Sequence, residues 1–114
     1  MSARVLAGLD TLRRALAARE NLPRLVGVHV APWDAYVQVA SGDGDLDAVA
    51  ATWELGSAIL ADPVVRVEPE GECCRYTVRG RLGELPAYVV TVLSRATPVG
   101  VAARSGGRER GGRW

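Results

Sequence analysis

Valine recurs at every second position in Val26, Val28 and Val30, and again in Val37 and Val39. A period of two places each set on one side of an extended strand, so this part of the chain must build a sheet with one greasy side. The segment before it has a different period. Between Ala3 and Glu20, Val5, Leu9, Leu12 and Leu16 share one helical face and Leu6 widens the stripe. Ser2 is placed to cap this helix and Asn21-Leu22-Pro23 to end it. The first strand then spans Arg24 to Val30, with Leu25, Gly27 and His29 opposing its valines. Ala31-Pro32-Trp33-Asp34 supplies turn chemistry, and Ala35 to Ala40 returns as a second strand with Tyr36 and Gln38 opposing its valines.

The same plan follows in the second half. Ser41-Gly42-Asp43-Gly44-Asp45 is a loop ending in Asp45, whose carboxylate is suited to cap the helix after it. Leu46, Val49, Trp53 and Leu60 mark that helix's buried face, broadened by Leu55 and Ile59, until Asp62-Pro63 stops it. Val64 to Glu68, Cys74 to Gly80 and Ala87 to Leu93 read as strands, separated by Glu70-Gly71-Glu72 and Gly83-Glu84-Leu85-Pro86. The order is αββαβββ, with a helix-strand-strand plan that occurs twice. Residues 1–97 form one α+β domain, and residues 98–114 form a tail dominated by Gly and Arg, too poor in apolar residues to pack and therefore expected to be flexible.

These elements predict two helices packed on one face of a mostly antiparallel sheet of about five strands. The helices take the valine side. Tyr36, Gln38 and His29 then point the other way, together with Arg75, Thr77 and Arg79, which alternate with Tyr76 and Val78. A flat face of Tyr, Gln and Arg suits a macromolecular partner or a second copy of the chain.

Composition narrows the function classes. Apolar residues make up 48% of the chain and charged residues 24%, which indicates an ordinary globular body. All 14 basic residues are Arg, a usage typical of a GC-rich genome. The net charge is only +1. Since Arg104, Arg108, Arg110 and Arg113 face only Glu109 near the C-terminus, the body is close to neutral and has no broad positive field for nucleic acid. No apolar run reaches the roughly 20 residues of a membrane span, and no signal-peptide core opens the chain. Two isolated cysteines fit a reducing compartment, so the expected location is cytoplasmic, without membrane association.

Individual residues argue mostly against chemistry. His29 is the only histidine and has no acid or thiol at ligand spacing, so it reads as a surface or structural group. Cys73 and Cys74 are adjacent, which disfavours a disulfide between them and fits neither CxxC nor a zinc cage. Asp43, Asp45 and Asp47 resemble the start of a calcium loop, but helical LDAVAATW replaces the rest, and capping explains them better. No metal or cofactor is expected. Trp53 lies on the apolar helical stripe. Trp33 in its turn either anchors a partner or packs over the sheet edge, and Trp114 closes the Arg tail, where Arg108, Arg110 and Arg113 offer contacts to unpaired bases. Arg66, Arg75, Arg79 and Arg81 gather in sequence, opposed by Glu68, Glu70, Glu72 and Glu84, so cross-strand ion pairing competes with an anion-binding role.

The segments LPRLVGVHV, AYVQV, ATWELGSAIL and GELPAYVVTVLS, spanning Leu22 to Ser94, resemble small uncharacterised proteins of actinomycetes, some carried on phages or other mobile elements. That resemblance implies an α+β fold and a bacterial or phage accessory role, and it assigns no functional residue. The expectation is therefore a non-enzymatic binding or regulatory module that associates with a protein or with itself as a homodimer, through an open sheet face or edge. Tyr36, Gln38, Arg75, Arg79 and Trp33 are the candidate contacts. One alternative is a nucleic-acid regulator acting through its tail, and another is a small enzyme for an anionic substrate.

Overall fold

The computed structural model describes residues 3–41 and 44–94. Helix α1 spans Ala3–Ala17, strands β1 and β2 span Leu25–Val30 and Ala35–Val39, and helix α2 spans Asp45–Ile59. Strands β3, β4 and β5 span Ala61–Glu70, Cys73–Leu82 and Leu85–Leu93, giving the expected order αββαβββ. The five strands form one sheet in the order β1-β2-β5-β4-β3. Every pairing is antiparallel except β2 with β5, which is parallel. The helix-hairpin plan recurs as α1-β1-β2 and α2-β3-β4, and β5 joins the two hairpins through the centre of the sheet.

Both helices lie on the same side. Gly8 of α1 sits against Val30 and Leu85, where a Cβ would come within 3.1 Å of either side chain, and Gly56 of α2 sits against Val78. Val30, Leu85 and Val78 all belong to the side of the sheet that carries Val37, Val65, Tyr76 and Val89, each buried. Burying these side chains supplies the main driving force for the fold, at about 25 cal/mol per Å² of apolar surface. Three hydroxyls are enclosed with them, those of Thr52, Tyr76 and Thr91. Thr52 Oγ1 and Tyr76 Oη are buried without a hydrogen-bond partner among the described residues. Thr91 donates instead to the Val39 carbonyl at 2.8 Å, satisfying an acceptor one residue past the paired stretch of β2 and β5.

Several local expectations are corrected. Helix α1 ends at Ala17 rather than Glu20, and Ser2 lies outside the described residues. The buried face of α2 is Ala48, Val49, Thr52, Leu55 and Gly56, rotated from the stripe of large residues. Leu46 is exposed and Trp53 is only part-buried, because small residues let the helix approach the sheet closely and push bulkier ones to the flank. Gly44 is the N-cap of α2, while Asp45, the first helical residue, accepts both the amide (3.0 Å) and the hydroxyl (2.7 Å) of Ser94. Strand β3 begins at Ala61 and runs through Pro63, tolerated because it is an edge strand with an irregularity between Ala61 and Val64, where Asp62 has φ of 54°. In β1 a bulge falls between Leu25 and Gly27, so Leu25 takes the core side opposite Val39 and Val26 is 63% exposed.

Candidate functional site

The side of the sheet away from the helices is uncovered among the described residues. The strand registers align its side chains into cross-strand rows. One row runs His29, Tyr36, Tyr88, Arg79 and Val64 from edge to edge. The next runs Gly27, Gln38, Val90, Thr77 and Arg66, and a third runs Val92, Arg75 and Glu68. A shallow, open concavity of about 510 Å³ crosses these rows, with Asp34 and Glu70 at its margin. Its middle is the apolar pair Val90 and Val92 on β5, with Tyr, Gln and Arg to either side.

The electrostatics of this face are balanced rather than basic. Arg66 Nε lies 3.2 Å from Glu68 Oε2, although that nitrogen makes no directed hydrogen bond, so the contact is a plain ion pair. Arg75 Nε lies 3.4 Å from Glu70 Oε1, a diagonal cross-strand pair. Arg79 makes no ion pair among the described residues. It is also shared with a second concavity of about 350 Å³, where Arg81, Asp62 and Tyr88 join it. At the β1 end the His29 ring stacks on Tyr36, with centroids 5.3 Å apart and planes 25° from parallel. The open-face position of His29 is thus aromatic packing at the surface.

The structure brings together Tyr36, Gln38, Arg75 and Arg79, all of which line the larger concavity. Trp33 does not line it; its side chain is 71% exposed in the β1-β2 turn, next to Asp34, which does. Arg108, Arg110, Arg113 and Trp114 lie outside the described residues, as does Asp43. Tyr88, Val90 and Val92 were not anticipated. Strand β5 is apolar on both faces, so its sequence carries no polar alternation to separate buried from open positions, and the one cue was a tyrosine inside a valine-rich run.

Chemical groups converge little. Neither His29 nor either cysteine lines the concavity. Cys73 and Cys74 are free, part-buried thiols on opposite faces of β4, with Cys74 packed against the core. Among the described residues no group of three or more His, Cys, Asp or Glu is placed to hold a metal ion, and no helix is long and apolar enough to cross a membrane. No protein-family model, curated protein or solved structure matches the chain.

Proposed function

We propose that the chain is a non-enzymatic binding module that engages a protein partner across the open face of its sheet, in an accessory or regulatory role. The observation that carries this reading is the layout of that face: an apolar centre at Val90 and Val92, flanked by Tyr36 and Tyr88 and by Arg75 and Arg79. Protein interfaces have this anatomy, with an apolar middle, a polar surround, and Tyr and Arg as energetic anchors. The charge pattern favours a protein over a nucleic acid. Glu68 and Glu70 offset Arg66 and Arg75, so the face lacks the positive surplus that phosphate backbones select. Arg79 is then the position for a partner carboxylate, which a guanidinium grips through two parallel hydrogen bonds.

Affinity purification with the wild-type chain and with the double variant Arg75→Glu, Arg79→Glu tests the proposal. A partner held by the wild type should be lost from the variant while the melting temperature barely moves, because exposed ion pairs contribute little to stability. Equal recovery of the partner by both proteins contradicts this assignment of the surface.

A further inference from the structure

The two edges of the sheet are built differently. Edge strand β3 carries Pro63 and Pro69, which lack amide donors, the irregularity at Asp62, and the acids Glu68 and Glu70. Prolines, bulges and charges are the devices by which edges avoid pairing with other chains. Edge strand β1, LVGVHV, has no proline and no acidic, Arg or Lys side chain. Its bulge lies near its start, leaving Gly27 to Val30 as a regular edge opposite β2. Val26 and Val28 are 63% and 45% exposed. Val28, opposite Val37, stands on the helix side, and α1 leaves it largely uncovered.

The apolar surface continues onto α1. Gly8 is where this helix meets Val30 of β1, and Leu6 and Leu9 on either side of Gly8 are 54% and 39% exposed. A strand edge flanked by unfilled leucine positions on one side calls for an occupant with the same two parts, a strand to pair and an apolar helix to pack. A second copy of this chain supplies both. We infer that the protein forms a twofold homodimer in which β1 pairs antiparallel with β1 of a second copy and the two α1 helices meet over the seam.

Edge chemistry and symmetry both disfavour the other pairings open to this chain. Pairing β3 with its own copy would meet the missing donors of Pro63 and Pro69 and the irregularity at Asp62, and pairing β1 with β3 would leave an open-ended chain of sheets. Joining β1 to β1 closes the assembly, with no like charges on the two strands. The axis then runs perpendicular to the sheet, so both open faces point the same way. The row of His29, Tyr36, Tyr88 and Arg79 is doubled across one continuous ten-stranded surface, and a partner recognised by the open face would be bound twice. The dimer does not depend on the partner-binding reading, because its contacts lie at the edge and on α1.

Sedimentation and hydrogen exchange test this together. The wild type at high micromolar concentration should sediment at about twice the 12.1 kDa of one chain. Val28→Lys should raise the dimer dissociation constant about tenfold or more, as lysine does at a natural edge. Val64→Lys, at an exposed valine of the opposite edge, should leave it unchanged. In the wild type, the amides between Gly27 and Val30 that point away from β2 should gain protection with rising concentration while those of β3 do not, a result that needs no variant to fold. A monomer at all concentrations, or a dimer broken by Val64→Lys and not by Val28→Lys, overturns the inference.

Discussion

At the scale of single residues, the informative positions are polar groups inside an apolar layer. Tyr76 is fully buried and its hydroxyl has no partner among the described residues, so it carries the desolvation cost of that hydroxyl without a hydrogen bond in return. Tyr76→Phe should therefore stabilise the fold by about 1 kcal/mol, read as a higher melting temperature. The same burial raises the phenol's pKa above its ordinary value of 10.0. Above pH 10.0 the unfolded chain releases this proton while the folded chain keeps it, so the stability associated with Tyr76 is complete below that pH and declines as pH rises further. Chemical denaturation should show a steeper alkaline loss for the wild type than for Tyr76→Phe. Thr91 is the opposite case. Its replacement by Val strands the Val39 carbonyl and should cost about 1 to 3 kcal/mol by the same measurement. The alternation of Arg75, Thr77 and Arg79 with Tyr76 and Val78 was legible from period two alone. Whether a buried hydroxyl finds a partner was not, because that depends on backbone groups brought close only by the parallel meeting of β2 and β5.

At the scale of elements, periodicity gave each helix and strand but misjudged which residues set the spacing between layers. The large side chains of α2 mark a stripe in the sequence, whereas the helix approaches the sheet along Ala48, Thr52 and Gly56. At Gly56 an added Cβ would lie 2.7 Å from Val78, so Gly56→Ala should destabilise by about 1 to 3 kcal/mol despite alanine's higher helix propensity. Equilibrium unfolding checks the sign, since a helix governed by propensity alone would become more stable. Asp45 offers a second lesson. A carboxylate at a helix start reads as a cap, yet here it ties α2 to the end of β5 through Ser94, 49 residues away in sequence and invisible to any local rule. Likewise the bulge in β1 exchanges Leu25 for Val26 on the core side, which strict alternation cannot foresee.

For the whole molecule, the one-sided sheet was the inference that mattered most, and it followed from helices and strands that each had a single greasy side. What the sequence could not supply was strand order. Placing β5 between β2 and β4 is what unites Tyr36 with Tyr88 and Arg79 in one row, and this requires a long crossover rather than a hairpin. The central claim is that this uncovered face is the contact surface. Site-specific photocrosslinking in the cells that make the protein tests it most directly, with the probe at Gln38 on the open face or at Glu54 on the exposed side of α2. The account predicts a discrete protein adduct from Gln38 that disappears when Arg75 and Arg79 are changed to Glu, and none from Glu54. Adducts from Glu54 with none from Gln38 would contradict it.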